Sequence, residues 1–283
     1  MNPPLVSAGL TTRNRAHLLP RAVESLLNQT HKNLEIIISN NGSADDTERV
    51  ALAYAAKDSR IKYFKQDGKI SGLKNLQFTV EQARGKYFMW ACDDDYWEPQ
   101  FVGKLAAVLE ENPDYISAMS HFYERRIGGS EEEIKLRQHS YTNLSNKELY
   151  KVYLRARERP TFLFALYRSN VRKKMEIPHC FNGIYVFLQE AALAGKAYSV
   201  PEYLFTWTND LRPTMVRHAE HHYNRSTVKP FAVTKYVFTL PFRLFFSKVI
   251  PFRRKFLIFG PWLRRAWTYK IKIAKDFLGV LRK

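Results

Sequence analysis

Four short apolar runs, three of them stopped by a polar cluster, constrain this chain more than any other feature. Leu5 to Thr12 gives way to Thr11-Thr12-Arg13-Asn14-Arg15, and Leu34-Glu35-Ile36-Ile37-Ile38 gives way to Ser39-Asn40-Asn41-Gly42-Ser43. Ile61 to Phe64 is the third run, and Tyr87 to Ala91 the fourth, which ends at Asp93-Asp94-Asp95. Helical stretches separate them. Leu18, Leu19, Val23, Leu26 and Leu27 recur at helical spacing, Ser43 is the expected N-cap of a helix carrying Asp45 and Asp46 in its first turn, and a helix over 71–84 leads through Gly85 to the fourth run. Strands alternating with helices of this length predict right-handed β-α-β units around a parallel sheet, whose ligands bind beyond the carboxyl ends of the strands. The three polar clusters should therefore meet on one rim.

Three adjacent carboxylates repel one another, and each is costly to bury unpaired. Hard divalent ions such as Mg²⁺ or Mn²⁺ prefer such oxygen ligands, although an acidic loop capping the helix after Pro99 has the same composition. No glycine-rich phosphate loop of the dinucleotide or Walker type is present, which disfavours dehydrogenases and P-loop enzymes. Phosphates would then be balanced by a metal or by cationic side chains, for which Arg13, Arg15 and Lys74 are the candidates. A metal corner on a sheet edge without a glycine loop suits a nucleoside diphosphate, with the ion stabilising the diphosphate as it departs.

Beyond Pro99 the pattern loosens. Helices are expected over 99–111, 146–157 and 184–194, and strands over 115–123 and 161–167. The charged, Gly-containing stretch 124–142 reads as a mobile loop or lid. Cys92 and Cys180 suggest neither a disulfide framework nor a zinc site, which fits a reducing compartment. The N-terminus lacks a basic flank and an apolar signal core, and no uncharged apolar run reaches the ~18 residues of a membrane span.

Taken together, residues 5–112 resemble the nucleotide-binding half of a family 2 glycosyltransferase with the GT-A fold. The matching motifs are the run ending Thr11-Thr12-Arg13-Asn14-Arg15, Ser25-Leu26-Leu27-Asn28-Gln29-Thr30, the stretch from Leu34 to Thr47, Gly72-Leu73-Lys74-Asn75, Ala83-Arg84-Gly85-Lys86-Tyr87, and Asp93-Asp94-Asp95-Tyr96-Trp97-Glu98-Pro99. The resemblance implies an α/β, Rossmann-like nucleotide-diphospho-sugar transferase fold, with a mostly parallel sheet and helices on both faces. It also implies inverting transfer of a sugar from a nucleotide-sugar donor, with Mg²⁺ or Mn²⁺. By the same resemblance Thr11 and Arg13 line the nucleotide pocket, flanked by Asn14 and Arg15. Asn40, beside Gly42, stands where the family commonly has an Asp contacting the base, and Lys74 and Asn75 border the nucleotide. Asp93 and Asp94 meet the ribose and the diphosphate-bound metal, with Asp95 a further ligand or a group that supports the ligands from behind. Cys92 occupies the place of the first Asp of the family's D-x-D pattern. The acceptor half departs more: Phe181-Asn182-Gly183-Ile184-Tyr185 holds no acid where the family has its catalytic carboxylate, so that Glu190 is the nearest candidate base, Asp210 lies in the Trp207-Thr208-Asn209-Asp210 loop, and a base from elsewhere stays open.

The net charge is +18, and fourteen Lys or Arg against one acid, Asp276, place thirteen of those charges after residue 228. Residues 1–228 are expected to form the GT-A domain, with a nucleotide-sugar half over about 1–112 and an acceptor half over about 113–228. Residues 229–283 interleave basic groups with aromatic ones and carry Pro230, Pro241, Pro251 and Pro261, so short helices are expected there. That composition reads as an amphipathic segment held on an anionic membrane surface, in preference to nucleic acid. The expected setting is cytoplasmic, peripheral on the inner face of the cell membrane, with a glycan or lipid-linked acceptor. The missing acid and Cys92 leave a second reading, a catalytically silent nucleotide-sugar-binding or scaffold protein.

Overall fold

The computed structural model describes residues 2–68, 70–128, 131–155, 160–178, 183–210, 232–264, 266–267 and 270. They belong to two compact units, one of Met1–Asn143, Thr161–Glu176 and Lys196–Asp210, the other of Leu144–Pro160, Ile177–Gly195 and Leu211–Lys283. The expected boundary at 228/229 and residues 179–182 lie outside the described residues.

The first unit runs β1 (Val6–Thr12), α1 (Leu19–Leu27), β2 (Leu34–Asn40), α2 (Thr47–Lys57), β3 (Ile61–Lys65), α3 (Gly72–Gln82), β4 (Tyr87–Cys92), β5 (Tyr96–Trp97), α4 (Phe101–Glu111), β6 (Tyr115–Gly128) and β7 (Glu131–Arg137). After α5 (Asn146–Arg155) of the second unit come β8 (Leu166–Arg168) and α6 (Ser169–Arg172) of the first. Then α7 (Gly183–Ala194) of the second unit precedes β9 (Lys196–Asp210) of the first, and α8 (Ala232–Phe245) and α9 (Phe252–Lys255) close the second.

All the strands join one nine-stranded sheet in the order β3-β2-β1-β4-β8-β6-β9-β5, with β7 paired to β6. The first four strands pair in parallel as β3-β2-β1-β4. Every residue of β2 is buried, as a strand covered on both faces requires. Past β4 the expectation of a mostly parallel sheet needs correction, because β8 is antiparallel to β4 and β6, and β5 is antiparallel to β9. The sheet is mixed. The stretch expected to be a loop or lid over 124–142 is largely hairpin, with β6 running on to Gly128 and pairing antiparallel with β7. Its charged residues pair across the ladder, as Arg125 does with Glu132, so the charge content that suggested a loop serves the hairpin. Conversely, Pro160–Phe164 is a 3-10 turn and only Leu166–Arg168 is strand.

Close packing of β1 on α3 depends on Gly9, where a Cβ would stand 2.3 Å from Thr79 Oγ1 and 2.9 Å from Phe88. At the amino edge of the sheet, buried Glu35 ties three segments together. Its Oε1 accepts hydrogen bonds from Ser7 Oγ (2.6 Å) and Arg84 N (2.7 Å), and its Oε2 takes Lys62 Nζ at 2.7 Å. Ser7 Oγ in turn accepts from Gly85 N at 2.8 Å, which sets the entry to β4.

In the second unit, Asn146 Nδ2 donates to the carbonyls of Ala192 (2.6 Å) and Gly195 (2.8 Å) and so closes the end of α7. Helix α8 continues through Pro241, which cannot donate to the carbonyl of Val237. Trp262 Nε1 supplies that hydrogen bond instead, at 2.6 Å.

Burial alone would raise the Glu35 pKa, but Lys62, Ser7 and the Arg84 amide overcome it and hold the carboxyl near 2. Its folded pKa lies below its unfolded one, so its contribution is present above about pH 4.5 and lost as pH falls toward 2. Glu35→Gln should therefore cost about 2 kcal/mol at neutral pH and flatten the acid limb of a melting-temperature profile. An unchanged acid limb would refute the assignment.

Candidate active site

Register places the rim. Thr12 pairs with Asn40 and Thr11 with Ser39 on one side of β1, while Thr11 pairs with Cys92 on the other. Three strands thus end side by side, and the loops that follow them are stitched by side chains. Asn14, whose φ of 52° is left-handed, donates its N–H to Ser43 Oγ at 2.9 Å and accepts from Ala44 N at 2.7 Å. Asn tolerates that conformation better than most residues because its short amide bonds locally. Arg15 N reaches Thr47 Oγ1 (2.9 Å) and Ala16 N reaches Asp45 Oδ2 (3.1 Å).

The Ser43 cap expected from sequence is not formed. Helix α2 starts later, at Thr47, and Ser43 turns inward so that its N–H and Oγ donate to Asn40 Oδ1 at 3.0 and 2.6 Å. Asn40 is fully buried, and its Nδ2 donates to Tyr63 Oη at 3.0 Å. Gly42 is positioned by backbone contact, since a Cβ there would stand 2.5 Å from Gly68 Cα and its φ is +62°. Asn75 is buried, accepts Ser39 Oγ at 2.6 Å and donates to Ser39 O at 3.1 Å, thereby clamping α3 to the end of β2. Lys74 is exposed in the first turn of α3, where Ser71 caps its amide, and Arg13 is exposed beside Asn14.

At the end of β4, Arg15 Nη1 lies 3.3 Å from Asp94 Oδ2 and 3.9 Å from Asp93 Oδ1. Burial opposes the Arg15 charge, but the two carboxylates outweigh it and raise its pKa. Burial, with the Asp94 charge beside it, pushes Asp93 up to about 7 against the pull of Arg15. Asp95 is 1% exposed, and burial with the neighbouring Asp94 charge raises its pKa well above the carboxylate range. Its Oδ1 accepts Thr208 N at 2.8 Å, and Thr208 Oγ1 donates to Asp94 O at 2.6 Å, so β9 fixes the triplet from the far side of the sequence. Asp95 Oδ2 is buried with no hydrogen-bond donor among the described residues.

That unsatisfied oxygen tests whether a cation fits. Cys92, Asp94 and Asp95 each offer a ligand atom, all within 4.8 Å of one another. A divalent ion would satisfy Asp95 Oδ2 and offset the crowded negative charge, so the donor set fits one. The expected pair Asp94 and Asp95 is thus brought together with Cys92, whose sulfur is softer than the oxygen of an Asp and shifts preference from Mg²⁺ toward Mn²⁺.

Thr208 is the contributor that sequence reading missed, and no local signal marks it because its partner is 113 positions away. Asn41 is another: it is 5% exposed, its Nδ2 donates to Ile70 O at 2.9 Å, and its Oδ1 has no donor among the described residues. In the second unit, Glu190 lies on the buried middle of α7 and accepts Ser247 Oγ at 2.6 Å.

An α/β sheet with an acidic strand end is the class this geometry defines. Residues 7–175 match the glycosyl transferase family 2, and the chain belongs to that family. An uncharacterized glycosyltransferase of Rickettsia typhi is 35% identical over 115 residues, 40% of this chain and 35% of that protein. The GalNAc(5)-diNAcBac-PP-undecaprenol beta-1,3-glucosyltransferase of Campylobacter jejuni is 40% identical over 93 residues, 32% of this chain and 30% of that protein. These matches span about a third of the relatives' own length. Among solved structures, S. aureus TarS 1–349 in complex with UDP-GlcNAc aligns over 96% of this chain and 75% of its own, with TM-score 0.70 and 14% identity. The mannosyltransferase PcManGT of Pyrobaculum calidifontis, in complex with GDP-Man and Mn²⁺, aligns over 96% of this chain and 75% of its own, with TM-score 0.56 and 12% identity. The fold is therefore of the GT-A type.

Asp93 titrates with a folded pKa above its unfolded value of about 4, so its protonation favours the fold. That contribution is present below about pH 4 and disappears as pH rises to about 7. Metal-free protein should lose stability as pH rises through that window, on the order of 4 kcal/mol from Asp93, and Asp93→Asn should lessen the decline while leaving the part that belongs to Asp95. An identical decline in the variant would exclude Asp93 as its source.

Proposed function

We propose that this chain is an inverting, metal-dependent glycosyltransferase that moves a sugar from a nucleotide-sugar donor to a hydroxyl of a glycan or lipid-linked acceptor. The observation that carries the reading is the meeting of Arg15, Asp93, Asp94 and the unsatisfied Asp95 oxygen at the end of β4. The setting we propose is cell-surface polysaccharide or lipid-linked glycan assembly on the inner face of the cell membrane. Its support is the activity for which the Campylobacter relative is named, on an undecaprenol-linked glycan, and the nucleotide sugars and Mn²⁺ held by the two solved neighbours.

In this reading Thr11, Arg13 and Asn14 border the nucleotide with Asn40, Gly42, Lys74 and Asn75, and Asn41 offers its unsatisfied carbonyl as an acceptor for the base. Asp94 and Asp95, with Cys92, would hold Mg²⁺ or Mn²⁺, which supplies positive charge to the diphosphate. Arg15 is released from Asp94 when the donor's own charge enters, and its guanidinium can then pair with a phosphate. Asp93, protonated in part at neutral pH, can donate a hydrogen bond to a ribose hydroxyl as well as accept one. The acceptor oxygen bonds to the anomeric carbon as the bond to the diphosphate oxygen breaks, and the acceptor proton passes to a carboxylate base, for which Glu190 is the candidate from the sequence.

A second reading has its own observation. Glu190 is 6% exposed and already receives the Ser247 hydroxyl, the environment of a structural carboxylate. A chain lacking a base would bind donor without transferring it.

Thermal-shift measurements with UDP-GlcNAc, UDP-glucose and GDP-mannose, with and without Mn²⁺, separate these outcomes. A donor at a hundred times its Kd should stabilise the fold by about 2.7 kcal/mol, and Asp94→Ala should abolish the Mn²⁺-dependent part. Stabilisation by no nucleotide sugar would overturn the reading. Glu190→Gln should leave donor binding intact and lower kcat at least about a hundredfold. Unchanged turnover would remove Glu190 from the mechanism, and donor binding with neither transfer nor hydrolysis would establish the silent protein.

A further inference from the structure

The second unit carries an apolar surface that the transfer chemistry leaves unused. Of eleven large hydrophobic side chains exposed among the described residues, eight fall between Phe238 and Trp267. On α8, Phe238, Phe242 and the following Phe246 recur every four residues and are 53%, 67% and 75% exposed, while Val237, Leu240 and Leu244 on the other side are buried. The same division recurs after Pro251. Phe252, Phe256, Phe259, Leu263 and Trp267 are exposed at helical spacing, and Ile258 is fully buried. The aromatic side chains are therefore not the inner face of a packed appendage. That inner face exists separately and is fixed by Trp262 Nε1 on Val237 O and by Arg254 Nη1 on Ala194 O at 2.8 Å.

Around the stripes the charge has one sign. Arg243, Lys248, Arg253, Arg264 and Lys270 are exposed, and no Asp or Glu occurs between residues 229 and 275. Lys270 stands 4.1 Å from the centroid of the Trp267 ring, an amphipathic pairing suited to a headgroup layer. Self-association through this face would bring two strongly basic surfaces together, which disfavours a second copy as its occupant. An anionic bilayer surface answers both the aromatic rings and the charge.

We infer that the face built by Phe238, Phe242, Phe246, Phe252, Phe256 and Trp267 is a preformed membrane-docking surface that seats its rings among anionic lipid headgroups without spanning the bilayer. No helix among the described residues is long and apolar enough to cross a membrane. The surface acts in binding and is independent of the donor site.

The test is co-sedimentation of the full chain with phosphatidylcholine vesicles, with and without phosphatidylglycerol. Binding to the anionic vesicles should be at least about tenfold tighter than to the neutral ones and should weaken as salt is raised. Phe242→Ser with Phe246→Ser should lower that binding about tenfold or more, with melting temperature and donor binding unchanged because both side chains are exposed. Lys248→Glu with Arg253→Glu should reduce the preference for anionic over neutral vesicles. No binding to either vesicle, or binding indifferent to the phenylalanine changes, would overturn the inference. So would a dimer in sedimentation velocity that the phenylalanine changes dissolve, or an affinity for single-stranded RNA exceeding that for the vesicles. Donor-induced thermal shifts report on the transferase reading separately, so failure of either is recognised on its own.

Discussion

The seating of β1 between β2 and β4 is the constraint on which the rest depends. A parallel ladder fixes register because a slip by one residue would turn each buried side chain to the opposite face. With Thr12 held opposite Asn40 and Thr11 opposite Cys92, the chain leaves the sheet at three adjacent points. Glu35 and Gly85 hold the amino edge of the same strands, and Gly9 lets α3 close over them. The acidic end of β4 inherits its position from these contacts, far from where its chemistry lies.

That position makes the site electrostatically expensive. Asp93 and Asp95 are buried beside Asp94, and Arg15 is the cation ion-paired with Asp93 and Asp94. Burial and like charge both oppose ionisation, so the carboxyls are held in a state that incoming positive charge can relieve. Cys92 changes the character of that corner without removing it, because Asp94 and Asp95 remain within reach of the same point.

The first half of the fold was legible in the chain because its signals are local. Apolar runs of strand length, helical spacing in α1 and the Ser71 cap of α3 each depend on neighbours a few residues away. The hairpin of β6 and β7 was hidden by its charges, which pair across strands: Arg125 with Glu132 at 2.6 Å, Arg137 with Glu124 at 2.7 Å. Those pairs become visible only once the register is known. Ser43 misled in the same way, since its hydroxyl serves Asn40 and Asn14 in place of the helix end. In the tail, four prolines suggested short helices, yet α8 runs through Pro241 because Trp262 satisfies the carbonyl that proline abandons.

By itself the sequence determined the β-α-β order, the strand ends that carry polar residues, the acidic triplet and the basic aromatic composition of the tail. These follow from periodicity and composition, which are properties of short windows. Tertiary structure alone decided that the sheet is mixed, that Thr208 holds Asp95, and that Asp95 Oδ2 is left buried and unsatisfied. It also decided which aromatic rings of the tail face outward. Each of these is a contact between distant positions, and burial is set by what the rest of the chain covers.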